Sequence, residues 1–152
     1  MTPRGIRNNN PLNIRRGASQ WQGLKRRQTD KDFCQFVTVA YGYRAAFRLM
    51  KTYYEKYGLT SAEDIIARWA PPSENRTREY VAAVMYDLER KGFIYDSRQL
   101  LPAPWRDKPL WCAFVRAMLR QECGDKAADS PYAANDISQG YDLAFVTTSS
   151  YI

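Results

Sequence analysis

The stretch Pro109–Gly124, PLWCAFVRAMLRQECG, has a strong apolar periodicity and predicts a central helix. Its apolar side chains recur at three- and four-residue steps, which places them on one helical face. The segment also marks its own ends, because proline favours the first turn of a helix and glycine the position just after the last turn. One stripe of this helix is formed by Trp111, Val115, Met118 and Glu122. A carboxylic acid therefore continues the apolar face at the end of the predicted helix.

Three more helices are predicted before this segment, and a weaker one follows it. The capping box Thr60-Ser61-Ala62-Glu63 is expected to start the second of them, because the Thr hydroxyl and the Glu carboxylate can each accept a free backbone N–H. Glycines and a proline pair provide the helix ends. The predicted helices are Tyr43–Tyr57 before Gly58, a short helix with Ile65, Ile66 and Trp69 on one face before Pro71-Pro72, Thr77–Lys91 before Gly92, and Ile137–Phe145.

The N-terminal residues carry a different pattern. Asn8-Asn9-Asn10-Pro11 suits turns, since asparagine tolerates left-handed backbone geometry and bonds its own backbone. Short strands or a hairpin are predicted around Asn13–Arg16 and Trp21–Leu24, and a further short strand at Phe33–Val37. The predicted fold class is therefore mainly α, an α+β single domain over residues 1–152 with a small N-terminal β element.

Two features of the composition exclude several kinds of chemistry. The 152 residues contain no histidine, which rules out Ser–His and Cys–His nucleophiles, histidine general bases and His-ligated zinc. The three cysteines form no CxxC pair, so a four-cysteine metal site is excluded and we expect reduced thiols. No cofactor or metal is predicted. Carboxylates, Tyr, Lys, Ser and Thr are left as candidate catalytic groups.

The net charge of +7 is concentrated at the N-terminus. Residues 1–31 hold a single acid, Asp30, against Arg4, Arg7, Arg15, Arg16, Lys25, Arg26, Arg27 and Lys31. Such a segment favours polyanions, although a solvated basic surface is an equally open interpretation. No helix-turn-helix or zinc pattern accompanies it, so nucleic acid is the least favoured partner. The sequence also lacks a signal core and a membrane-length apolar run.

Two blocks of sequence carry a resemblance to a known family. The first is Asn9–Arg15, NNPLNIR, followed by Trp21-Gln22-Gly23; the second is Trp69–Val81, WAPPSENRTREYV. Together they resemble the NNPGNIR and WAPxxENxT pattern of lysozyme-like peptidoglycan-degrading proteins of phages and prophages, which are related to cell-wall glucosaminidases. Leu12 stands where that pattern has glycine.

The resemblance implies a lysozyme-like helical domain that cleaves the glycan strands of peptidoglycan, as a lytic transglycosylase or a glycoside hydrolase with one Glu as general acid and base. In that family the catalytic Glu precedes the first block, whereas here no acid precedes Asp30. Either the catalytic helix is lost, leaving a virion structural or cell-wall-binding protein, or the domain is circularly permuted. In the permuted case Leu110–Gly124 supplies the acid, Glu122.

The candidate site residues each have a second interpretation. Glu122 is the predicted general acid, but it could equally face solvent or pair with Arg116 or Arg120. Glu74 is the rival or second carboxylate, with helix capping by Ser73 or Asn75 as the alternative. Predicted substrate-binding residues, which could instead be core or turn residues, are Tyr80, Asn10, Asn13, Arg44, Asn75, Trp21 and Trp69. Arg44 is expected to pair with Glu74 or Glu122.

The expected partner is the peptidoglycan strand, with a phage particle or a secretion apparatus as the alternative partner. We expect the protein to be made in the cytoplasm without a signal peptide. It would then reach the cell wall through a phage particle, cell lysis or a secretion system.

Overall fold

A computed structural model describes residues 2–70 and 73–146, except for the side chains of Glu74 and Asn75. The described chain is mainly helical. In order, its elements are α1 (Arg4–Arg7), α2 (Val39–Tyr57), α3 (Ala62–Trp69), α4 (Glu74–Arg90), a 3₁₀ turn (Pro104–Arg106), α5 (Lys108–Cys123), α6 (Asp125–Ala128) and α7 (Ala133–Phe145). Each of the five predicted helices is present. No helix of the described chain has the length and apolar character needed to cross a membrane.

The predicted glycine ends of the helices are confirmed by the backbone, whereas the predicted proline end, Pro71-Pro72, lies outside the described residues. Gly58, Gly92 and Gly124 follow α2, α4 and α5 and take φ values of 65°, 76° and 97°. A residue with a Cβ atom adopts this left-handed region at a cost, so glycine is favoured just beyond a helix.

The predicted capping box at α3 is wrong by one residue. The helix starts at Ala62, and the Ser61 side chain, not that of Thr60, accepts the Asp64 N–H at 3.2 Å. Tertiary contacts move the start of the helix. The Glu63 N–H donates to the Ser97 carbonyl, and the Thr60 carbonyl accepts the Leu101 N–H.

The predicted N-terminal β element does not form a sheet in the described chain. Only two isolated antiparallel bridges occur, Arg15 with Phe33 and Leu24 with Phe36. The backbone of residues 33–37 bonds to two different segments, through Ile14 and Gly23, and side chains bind part of the remainder. The Gln28 amide, for example, donates to the Gln35 carbonyl and accepts the Gln35 N–H. Asn and Gln side chains compete in this way with regular ladders.

The hydrophobic core surrounds α5. The predicted stripe is confirmed, because Trp111, Val115 and Met118 are fully buried. Helices α4, α6 and α7 pack on α5, and α2 lies along α7. The N-terminal loop adds Leu12 and Phe36 to the same core.

A glycine lets the N-terminal loop approach α2 closely. A Cβ atom on Gly42 would clash with the carbonyl group of Asn9, which belongs to the loop backbone and has little freedom to move. Asn9 itself holds a φ of 52°, and its side-chain amide donates to the Phe36 carbonyl at 3.1 Å. The position of the whole loop thus depends on residue 42 being a glycine, which has no Cβ atom.

We therefore expect Gly42→Ala to lower the free energy of unfolding by about 2–3 kcal/mol, because overpacking against fixed backbone forces the loop away. Thermal melting should show a fall of about 5–10 °C in Tm. Gly17→Ala is the matched control, since a Cβ atom there meets nothing within 4 Å. Equal melting temperatures for the two variants would contradict the close packing described here.

Candidate active site

Three parts of the chain meet at the carboxyl group of Glu122. Glu122 lies in the last turn of α5 and is half-buried. The side-chain amide of Asn13 donates to its Oε1 at 2.7 Å, and the Tyr80 hydroxyl donates to its Oε2 at 3.0 Å. The N-terminal loop, α4 and α5 thus each contribute one side chain to the same cluster. The structure brings these three predicted site residues together.

No cation neutralises Glu122 among the described residues. Arg120 pairs instead with Asp87, Asp125 and Asp129. The Arg116 guanidinium donates to the carbonyl of Ala128 at 2.8 Å. The alternative in which Glu122 pairs with Arg116 or Arg120 is therefore not the arrangement found.

Burial raises the pKa of Glu122, and the hydrogen bonds from Asn13 and Tyr80 oppose that shift. A carboxyl group removed from water prefers its neutral form, so the proton is held to higher pH than in an exposed Glu. Burial also raises the pKa of Tyr80 well above its usual value, and the adjacent Glu122 charge adds to the effect. Tyr80 is thus a neutral hydrogen-bond donor throughout the physiological pH range.

Asn13 owes its position to an unusual backbone conformation. Its φ of 55° lies in the left-handed region, which asparagine tolerates better than most residues. Its N–H donates to the carbonyl of Asn10 at 3.0 Å, which closes a tight turn. The side-chain Oδ1 is buried without a hydrogen-bond partner among the described residues. A Cβ atom at Gly5 would lie 3.0 Å from that oxygen, so α1 also packs closely against the site.

Beside Asn13 lies a groove of about 280 Å³, here called the aromatic groove, lined by Asn13, Arg15, Trp21, Tyr53, Arg68 and Trp69 among others. The Trp69 indole N–H donates to the Leu12 carbonyl at 3.0 Å, and the ring packs edge-on against Tyr53. Arg68 lies over Tyr53, with its guanidinium carbon 5.5 Å from the ring centre. Asn13 therefore both lines the groove and contacts Glu122, whereas Glu122 and Tyr80 are not among the described lining residues.

A second groove, of about 410 Å³, adjoins the first. This basic groove is lined by Arg16, Gly17, Ser19, Trp21, Lys25 and Arg26 among others. Gly17, Ser19 and Trp21 line both grooves. The predicted sugar-stacking residues Trp21 and Trp69 thus face the same groove, and Trp21 stands where the two grooves meet.

Two predicted site residues do not reach either groove or Glu122. Asn10 is fully buried, and its amide donates to the carbonyls of Ile14 and Cys34 while accepting the Ile14 N–H. It shapes the loop and offers no group to a ligand. Arg44 has a buried Nε without a hydrogen-bond partner, and no ion pair joins it to Glu122 among the described residues, so that expected pairing is wrong. The side chain of Glu74, its other expected partner, lies outside the described residues. Burial and the neighbouring Arg48 lower its pKa.

The other two predicted site residues, Glu74 and Asn75, begin α4, and their side chains lie outside the described residues. Their predicted roles stay predictions. Ser73 occupies the N-cap position of α4 without a side-chain capping bond. Helix α4 therefore starts earlier than the predicted Thr77.

Sequence reasoning missed Tyr53 and Arg68 as groove residues. A signal was present, since Arg68 precedes Trp69 and Tyr53 lies within the first predicted helix, Tyr43–Tyr57, but only tertiary packing places them together. Cys34, Cys112 and Cys123 are free thiols, as expected. In the described parts of the chain, no cluster of Cys, Asp and Glu side chains could hold a metal ion.

Comparison with known proteins gives one informative relationship. No family model matches the chain. The chain is 38% identical over 145 residues to protein P5 of Pseudoalteromonas phage PM2, a match that covers 93% of this chain and 82% of the phage protein.

The raised pKa of Glu122 predicts a pH-dependent effect of Glu122→Gln on stability. A carboxyl pKa that is higher in the folded than in the unfolded state means that wild-type stability falls as pH rises from the unfolded pKa through the folded pKa. Glutamine does not titrate, and it can keep both contacts if the Tyr80 hydroxyl turns to accept its N–H. We expect the Tm of Glu122→Gln relative to wild type to increase between pH 4 and pH 8. A constant difference would show that the carboxyl is not perturbed.

Tyr80→Phe should raise the pKa of Glu122 further, because it removes a hydrogen bond that favours the carboxylate. The measurement is an NMR titration of the side-chain carboxyl carbons in Glu-labelled protein. Tyr86→Phe is the control, since Tyr86 lies on the same helix and is 63% exposed. The same Glu122 pKa in both variants would rule out the Tyr80 contact.

Proposed function

The chain belongs to the family of protein P5 of Pseudoalteromonas phage PM2, and we propose that it is a phage enzyme that cleaves the glycan strands of peptidoglycan. The observation that carries the proposal is the Glu122 carboxyl, which is half-buried, free of cations and held by Asn13 and Tyr80. The two sequence blocks add support, because each supplies one of the residues that bond Glu122. Asn13 belongs to NNPLNIR, and Tyr80 belongs to WAPPSENRTREYV.

Glu122 would act as the general acid. Cleavage of a glycosidic bond requires protonation of the leaving oxygen, and a carboxyl with a raised pKa still holds its proton near neutral pH. Each carboxyl oxygen accepts one hydrogen bond from the protein and has a second lone pair for the transferred proton. Asn13 and Tyr80 would fix the orientation of the carboxyl and stabilise the carboxylate after the proton has left.

The aromatic groove would hold the sugars. Trp21 and Trp69 offer flat apolar faces to sugar rings, and the Trp21 indole N–H would add a polar contact at the ring edge. Asn13 joins this groove to Glu122, so a strand lying in the groove would approach the acid past the Asn13 amide. Trp69 has its N–H engaged by Leu12, which fixes the orientation of its ring.

One carboxyl suffices if a group of the substrate itself attacks the sugar carbon. The 6-hydroxyl would give an anhydro product, as in a lytic transglycosylase, and the acetamido oxygen would lead to hydrolysis. A second carboxylate acting on water is the remaining hydrolytic route, and Glu74 is the candidate for it. With Glu122 as the acid, the domain would be a permuted member of the lysozyme-like group. Delivery to the wall would follow cytoplasmic synthesis, through a phage particle, cell lysis or secretion.

A non-catalytic virion or wall-binding protein is the second candidate function. It is favoured by one observation, namely that Glu122 and Tyr80 are absent from the described lining of both grooves. In that case the grooves would bind the strand and Glu122 would only hold the N-terminal loop against α5.

Clearing of purified cell walls decides between the two functions. We expect wild-type protein to clear them and Glu122→Gln to lose at least about 100-fold in rate, the usual contribution of a general acid. Glu89→Gln is the matched control, because Glu89 is an exposed carboxylate on α4. Mass analysis of the products separates anhydro from hydrolysed ends. An inactive wild type that still binds walls, or an active Glu122→Gln, would remove the enzyme role assigned to Glu122.

A further inference from the structure

The two adjoining grooves present positive charge only. Their described lining contains five basic side chains, Arg15 and Arg68 in the aromatic groove and Arg16, Lys25 and Arg26 in the basic groove, and no acidic one. These side chains come from the N-terminal segment that carries the excess charge of the chain, except for Arg68.

The nearby acids do not neutralise these cations. Asp30 accepts two hydrogen bonds from Arg4, at 2.7 and 2.6 Å, and a third from the side-chain amide of Asn8. Asp32 is also paired with Arg4. Among the described residues, no ion pair involves Arg16, Lys25 or Arg26. Arg16 donates one Nη1 hydrogen bond to the Asp30 carbonyl, and this contact leaves its charge uncompensated.

The limited extent of the two grooves points to a short anionic ligand. The basic groove is larger than one carboxylate needs, yet it ends at Trp21, where the aromatic groove begins. A long polyanion such as a nucleic acid would bind better to a stripe of basic residues along the surface. Guanidinium groups bind carboxylates through paired hydrogen bonds, which suits a ligand with several carboxylates.

We propose that the basic groove binds the carboxylates of the peptides attached to the peptidoglycan strand, while the aromatic groove holds the adjacent sugars. This inference rests on the proposed function, because it extends the same binding site from the sugar to its peptide. It gives the basic N-terminal segment a specific ligand and makes peptide-bearing strands the preferred form of the substrate.

The test compares binding to two forms of purified wall by co-sedimentation at low salt. One form is intact and the other has been stripped of its peptides with an amidase. All proteins carry Glu122→Gln so that the strands stay uncut. The groove variant adds Arg16→Gln, Lys25→Gln and Arg26→Gln. The matched control adds Lys56→Gln, Lys91→Gln and Lys126→Gln, which removes three exposed charges outside both grooves.

We expect the groove variant to lose about tenfold or more in affinity for intact walls and to match its parent on stripped walls, because the lost contacts are charge-assisted. The control variant should bind both forms of wall with the same affinity as the parent. The inference would be overturned if both triple variants lost the same affinity for intact walls. It would also be overturned if the groove variant lost the same affinity for both forms of wall, or lost none. Displacement of the parent from intact walls by duplex DNA, but not by acidic peptides, would overturn it in favour of a phosphate ligand.

Failure of the proposed function has a different signature. In that case the parent protein binds neither form of wall and the wild type clears none. Unchanged binding by the groove variant, together with clearing by the wild type, removes only the peptide site. Melting curves compare each triple variant with its Glu122→Gln parent, and equal Tm values are expected because the added substitutions lie at exposed positions.

Discussion

The side-chain amide of Asn10 holds the N-terminal loop in the shape on which the candidate site depends. It is fully buried and makes three hydrogen bonds to the backbone of Ile14 and Cys34. A buried amide left without these partners would cost more than the bonds contribute, so the loop has one well-defined conformation. The Asn10 carbonyl then fixes the N–H of Asn13, and Asn13 extends its amide to Glu122. A loop without regular strands thereby positions a side chain of the candidate site.

A second constraint sets the relative position of α4 and α5. Arg120 bonds Asp87 of α4 at 3.1 Å, and its remaining nitrogens bind Asp125, the first residue of α6, and Asp129, which follows α6. This network couples the two helices that carry Tyr80 and Glu122, and Asp87 is almost fully buried. It also engages Arg120, which precedes Glu122 by two positions on α5. Glu122 therefore stays without a cation, which is the condition for its raised pKa.

The sequence predicts best what local periodicity controls. The apolar stripe of α5, its first-turn proline and its terminal glycine place Glu122 correctly at the end of a buried face. Asn10 and Asn13 show where local reasoning stops. They are the same residue type in one short motif, yet one is buried in the loop and the other contacts the carboxyl. Backbone conformation and contacts distant in the sequence decide between these roles, and neither is visible in a local pattern.

The same limit explains the failed expectations. The β-branched and aromatic residues of Phe33–Val37 resemble a strand, but the backbone pairs with two different segments and no continuous ladder forms. Cys34 donates to the Ile14 carbonyl, and Val37 donates to the Gly23 carbonyl. Arg44 was expected to pair with Glu74 or Glu122, yet its position on α2 places it beside Arg48 and without an ion pair to Glu122. The local sequence shows which functional groups a segment carries. The packing of helices that are distant in the sequence decides which of these groups come into contact.

The contact between Asn13 and Glu122 joins residues 109 positions apart in the chain. A general acid needs a fixed distance to its substrate and a suitable environment, and neither depends on whether the acid precedes or follows the binding loop in sequence. Under the proposed function, moving the acid-bearing helix to the C-terminal side changes the order of the chain but keeps its contacts. The loop must then be anchored independently of that helix, since no short connection ties the two together. The buried Asn10 amide and the close approach of Asn9 to Gly42 supply that anchoring.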